Sequence, residues 1–244
     1  MGTCSKSQVL GWSAALAALL VSNAAEAELS GTLALTSDYD YRGFSQTADD
    51  SAVQGSLDYA HESGLYASLW GSSLDWGSDS DAWLELDWVI GYAQELGSTG
   101  VTWDVGLLFY QYPDLSSANF LEFYGGLSWS LFSVKLSYSD DFAGVDESGW
   151  YADASVGYEF DNGVSLFVYG GYSFGNAFDE DDGGPAFGSP DYWNYGFGAG
   201  YSVGDNLYFE LKGVGTDLDG IYKIDDGVFD NSFRAIASMT VSFP

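Results

Sequence analysis

Hydrophobic and polar residues alternate one for one over most of this chain from Leu29 onward. Leu84, Leu86, Trp88, Ile90 and Tyr92 share one phase, with Glu85 and Asp87 on the other. Val101, Trp103, Val105, Leu107 and Phe109 repeat the pattern against Asp104, and Trp150, Ala152, Ala154, Val156, Tyr158 and Phe160 repeat it against Asp153 and Glu159. A period of two sends alternate side chains to opposite faces of an extended strand, and no helix sustains it. The pattern predicts strands over 29–41, 51–60, 65–74, 82–93, 101–112, 119–129, 132–139, 150–160, 164–174, 192–203, 207–216 and 232–243. Their length suits tilted strands that cross a bilayer, which need about 9–11 residues. The break at Ser130-Leu131 is the faintest of the eleven.

The connections alternate as well. Every second one is short: His61-Glu62-Ser63-Gly64, Gln94 to Gly100, the break near Ser130, Asp161-Asn162-Gly163 and Gly204-Asp205-Asn206. Asn, Asp and Gly tolerate the positive φ of tight hairpins. The intervening ones, including 113–118, 140–149, 175–191 and 217–231, are longer and acidic. Short turns at one end and long loops at the other are the layout of an outer-membrane barrel. An even number of strands places both termini at the short-turn, periplasmic end.

Strand charges decide between a barrel and an exported soluble sandwich. Asp58, Glu85, Asp87, Asp104, Glu122, Asp153, Glu159 and Glu210 all fall on the polar phase. So do Lys135, Lys212 and Arg234, and Arg42 if the first strand runs that far. The apolar phase carries no charge. A charge facing lipid at mid-membrane costs about 2–4 kcal/mol, so this face is clean for a reason. Tyr39, Tyr41, Trp76, Trp83, Tyr112, Trp150, Phe174 and Trp193 lie near segment ends, where interfacial girdles form. The expected fold is all-β, an antiparallel transmembrane β-barrel of about twelve strands with short periplasmic turns and long acidic extracellular loops.

Composition narrows the function. The 244 residues hold 6 Lys and Arg against 36 Asp and Glu, a net charge of −30. A nucleic-acid binder needs a basic face, so that class is excluded. Aromatics at 18% exclude an acidic disordered chain. The only apolar helix-like stretch runs from Val9 to Val21, behind Lys6 and ahead of an A-x-A ending at Ala27. It reads as a signal peptide over 1–27, with the barrel domain over 28–244. Cleavage removes Cys4, and with it any disulfide or thiolate chemistry.

The stretch Leu29-Ser30-Gly31 through Ala34-Leu35-Thr36-Ser37-Asp38-Tyr39-Asp40-Tyr41-Arg42-Gly43-Phe44-Ser45-Gln46-Thr47 resembles the TorF family of predicted porins, also called the Gcw_chp domain. The likeness continues through Ala52-Val53-Gln54-Gly55, Asp58-Tyr59-Ala60-His61, Ser63-Gly64-Leu65-Tyr66-Ala67 and Trp70-Gly71-Ser72. It is specific over about 29–92 and only a general strand pattern beyond. The resemblance implies a proteobacterial outer-membrane protein with no assigned substrate and no catalytic residues to carry over. Pro244 follows Phe243, where such barrels usually end on the aromatic.

Candidate chemistry is sparse. His61 lies in a predicted turn beside Glu62 and Ser63, a solvated setting without an oxyanion hole, so it reads as a turn residue and no enzyme is expected. Asp179-Glu180-Asp181-Asp182-Gly183-Gly184 has hard oxygen ligands but lacks calcium-loop spacing, and reads as a solvated loop. No cofactor is expected. The expected partners are outer-membrane lipid and lipopolysaccharide, the barrel-assembly machinery through the strand ending at Phe243, and small solutes or cations. A passive channel that prefers cations is the leading reading, and a non-conducting structural or adhesin-like barrel the alternative. Eight strands are filled by their own side chains and sixteen leave a channel, so twelve leaves both open. Phe167, Tyr169 and Tyr208 fall on the lumen phase and would narrow it. Arg42, Glu85, Asp87, Glu122, Asp153, Lys212 and Arg234 form the candidate constriction. Either a basic wall faces an acidic one across the lumen, or the charges pair locally, Arg42 with Asp38 or Asp40, and plug it.

Overall fold

The computed structural model describes residues 28–78, 80–179 and 185–244. The expected signal peptide, and the acidic cluster beyond Asp179, lie outside the described residues. Fourteen strands follow in order: β1 (Glu28–Thr36), β2 (Asp40–Tyr41), β3 (Phe44–Ser45), β4 (Ala52–Ala60), β5 (Leu65–Ser73), β6 (Leu84–Glu95) and β7 (Val101–Gln111) come first. Then come β8 (Phe120–Trp129), β9 (Phe132–Ser139), β10 (Gly149–Glu159), β11 (Val164–Phe174), β12 (Tyr192–Val203), β13 (Leu207–Thr216) and β14 (Arg234–Phe243). All but β2 and β3 join one closed antiparallel barrel, each paired to its sequence neighbour. Closure falls between β1 and β14, from Gly31 opposite Phe243 to Thr36 opposite Ser238. A closed sheet leaves no unpaired edge, which a bilayer requires.

The break at Ser130-Leu131 is a two-residue hairpin, with Trp129 opposite Phe132 and Ser130 at φ 55. In the turn after β4, Gly64 takes φ 94, and a Cβ there would lie 2.3 Å from the Ala93 carbonyl oxygen. Only glycine fits that position.

The outer surface is apolar, and among the described residues no outward strand position carries a charge. Leu33, Ile90, Phe123, Val168, Phe197 and Leu211 are all more than 40% exposed, which only a lipid-like surrounding makes favourable. Toward the long-loop end, Tyr138, Trp150, Phe174, Tyr172 and Trp193 form a continuous aromatic run across β9–β12, with ring centroids 4.5–6.3 Å apart. Tyr39, Tyr41, Trp76 and Tyr112 do not join a girdle. They sit inside the barrel mouth, because the loops that carry them fold inward and pack with Phe120, Phe142, Phe178 and Tyr192 as an apolar core.

The first strand is also shorter than its alternation suggests. β1 stops at Thr36, and 37–51 turn into the lumen carrying the small β2–β3 hairpin, with Asp40 opposite Ser45 and Tyr41 opposite Phe44.

Candidate functional site

The lumen has two unlike halves. At the long-loop end, inward-facing Glu85, Tyr192 and Val214 are 0–1% exposed. Toward the short-turn end, inward-facing Ser30, Thr32, Ser56, Asp58, Thr102 and Ser128 are only partly buried, so solvent reaches them. This lower wall is polar and internally bonded. Ser56 and Ser68 donate to Asp58, Tyr66 donates to Asp104 at 2.6 Å, and Ser133 meets Ser155 at 2.6 Å.

The seven candidate residues fall in separate groups, from the long-loop end of the lumen (Glu85, Glu122, Arg234) down to mid-strand (Lys212). Arg42 is not on a strand: it occupies the turn of the β2–β3 hairpin at φ 50, followed by Gly43 at φ 94. Its Nη2 donates to both Glu122 oxygens on β8, at 2.6 and 2.8 Å. The guanidinium also lies 4.1 Å from the Tyr151 ring centroid. Burial is the largest influence on the Arg42 charge and opposes it, but the Glu122 carboxylate together with the oxygens of Tyr41, Tyr110 and Tyr151 lifts the pKa well above the usual arginine range.

Arg234 on β14 holds the root of the same loop. Its Nε donates to Asp38 at 2.8 Å and its Nη2 to Asp40 at 2.6 Å, so the local pairing expected of Arg42 is made by Arg234 instead. The reason is position: Asp38 and Asp40 lie beside β14, and the hairpin carries Arg42 past them. Arg234 Nη1 adds carbonyl contacts to Asp230 at 2.5 Å and Gly43 at 3.2 Å.

The remaining candidates stand apart from both arginines. Glu85 and Asp87 are buried one above the other on β6, with the Tyr112 hydroxyl donating to Glu85 at 3.2 Å. Asp153 faces Lys135 across the β9–β10 pairing. Lys212 lies 3.8 Å from Glu210 on its own strand. Among the described residues, Glu85, Asp87, Asp104 and Asp153 form no ion pair.

A family model described as a bacterial protein of unknown function, Gcw_chp, matches residues 21–242. The chain belongs to this family. No curated protein matches it in sequence. Among solved structures, the Gcw_chp barrel is similar to the NanC porin, with 16% identity and a TM-score of 0.56 over 89% of this chain and 100% of that one. The KdgM porin, solved with disordered oligogalacturonate, is 11% identical with a TM-score of 0.55, covering 88% of this chain and 99% of that one. At such identities the likeness establishes the fold: a closed twelve-stranded antiparallel barrel.

Tyr151 is a site residue of the Gcw_chp chain that the alternation does not single out, being one inward aromatic among many, whereas Asp38 and Asp40, expected as partners for Arg42, instead hold Arg234. His61 stays in its turn, where Ser63 N–H donates to Nδ1 at 3.1 Å.

Proposed function

We propose that this protein is an outer-membrane channel through which small solutes, cations in preference, diffuse passively, with no catalytic step. The single observation that carries the reading is the solvent-reached, polar lower half of the lumen inside an apolar outer wall. A barrel meant only as a scaffold has no need to keep that half wet. The likeness of the barrel to the NanC and KdgM porins agrees with it, and lipid, lipopolysaccharide and the assembly machinery are the partners such a protein would meet.

Cation preference follows from which lumen charges are already matched. Both arginines are consumed by carboxylates, while Glu85, Asp87, Asp104 and Asp153 have no ion-pair partner among the described residues. A low-dielectric wall concentrates that negative field on the path. Conductance of the purified protein in a planar bilayer, with reversal potentials in a salt gradient, tests both parts. Ohmic current with cation selectivity supports the reading.

One observation favours the alternative of a non-conducting barrel: the apolar core that fills the outer mouth. Absence of current in the wild type and in variants with that core loosened would establish it.

A further inference from the structure

We propose that the loop 37–51 is a releasable strap whose one ion pair to the far side of the lumen, among the described residues, is Arg42–Glu122, with Tyr41 against Tyr110 beside it. The two ends of the loop are held very differently. At its root, Arg234 grips Asp38, Asp40 and the Gly43 carbonyl, and Asp38 also accepts from Ser45 at 2.6 Å and Thr47 at 3.2 Å. Arg234 stands on β14, the neighbour of β1, so this grip sits on the wall that the chain leaves and runs as far as Gly43 in the turn.

At the tip the backbone stays near β12 and β13, where Gly43 packs on Asn194 and Thr216, and it is the Arg42 side chain that reaches across. β8 lies five places round a ring of twelve strands from β1, almost the opposite wall. There Arg42 meets one carboxylate, which Tyr110 steadies by donating to Glu122 at 3.1 Å. Arg42 Nη1 is buried with no hydrogen-bond partner among the described residues, so no second acceptor backs the first. The backbone supports the same assignment. Both central turn positions have positive φ, which an arginine adopts at a cost, and Gly43 packs so tightly that a Cβ would lie 2.4 Å from Thr216 Cγ2. An arginine is kept there for its reach to the far wall. Without the Glu122 charge, a guanidinium among Tyr41, Tyr151 and Phe142 is buried and uncompensated, and leaving the lumen becomes its favourable course.

The chain carries its own probe. From residue 28 onward trypsin has five sites: Arg42, Lys135, Lys212, Lys223 and Arg234. The Lys223 side chain is 45% exposed and the Arg42 side chain 7%. Purified folded protein and its Glu122→Gln variant, each first checked for the heat-dependent gel shift of an intact barrel, are treated with trypsin and assayed in a bilayer. We expect cleavage after Lys223 in both and after Arg42 only in the variant, at least tenfold faster than in the wild type, together with a rise in open-channel current. Arg42→Lys keeps the charge but loses the two-oxygen grip, and is expected to fall between them. Continued protection of Arg42 in the Glu122→Gln variant overturns the strap, whether or not the current rises. The current rests on the channel reading above and the cleavage does not: Arg42 cut with no current leaves the strap standing and removes the channel.

Discussion

At the scale of single residues, the glycine and tyrosine contents explain each other. Inward-facing Tyr66, Tyr124, Tyr151, Tyr169 and Tyr208 each lie over an inward-facing glycine of the next strand: Gly91, Gly106, Gly171, Gly196 and Gly200. A Cβ on any of these would come within 2.3 Å of the ring or its hydroxyl. Glycine weakens a strand by itself, but here it makes the bed for a ring that then lies along the wall instead of across the lumen. Phe167, Tyr169 and Tyr208 therefore narrow the lumen less than their lumen phase suggests, since Gly198, Gly196 and Gly200 receive them. Filling such a bed should behave as overpacking, at about 1–3 kcal/mol. Gly106→Ala and Gly200→Ala are expected to lower stability by that much in urea unfolding from lipid vesicles. Gly170→Ala, on the outward face with its nearest neighbouring atom at 3.6 Å, should stay within about 0.5 kcal/mol of wild type.

At the scale of strands, alternation was legible because it reports a physical division between two solvents, lipid outside and water or protein inside. That is why β9, β11, β12 and β13 have the ends the pattern predicts, and why the inward phase of Glu85, Asp87, Glu122, Asp153, Lys212 and Arg234 was readable from sequence. The same signal misled at Tyr39 and Tyr41. An extended loop with one side against an apolar core alternates just as a membrane strand does, so periodicity ran past Thr36 into the strap. Which carboxylate each arginine meets depends on the path of that loop, and no period encodes a path. The outward phase makes a clean test. Val168, mid-strand on β11 and 52% exposed, faces outward, and Val168→Arg should cost about 2–4 kcal/mol of folding free energy in a bilayer. Thr240→Arg, inward on β14 in the wet half, should cost far less in the same titration.

At the scale of the molecule, orientation and selectivity belong together, because the loops that face the medium also set its field. An even ring of strands with long loops at one end predicts that Lys223, in the 217–233 connection, is cut by trypsin on intact cells. Cleavage only after permeabilisation would reverse the orientation. Selectivity follows from the charges on the path. Of the five basic residues from 28 onward, Arg42, Lys212, Lys223 and Arg234 each have a carboxylate within 4.0 Å. Lys135, facing Asp153 across the strand pair, makes none among the described residues. It is the one lumen cation left to oppose the unpaired carboxylates. Through the opened strap variant, the reversal potential should show cation preference at 0.1 M salt, where the Debye length is about 10 Å and spans much of a narrow lumen. At 1 M it shrinks to about 3 Å, so the preference should fade toward the mobility ratio of the free ions. Lys135→Gln should strengthen the low-salt preference, and Asp104→Asn with Asp153→Asn should weaken it. Anion preference at 0.1 M, or a preference that ignores ionic strength, would mean that the carboxylates hold their protons or lie off the path.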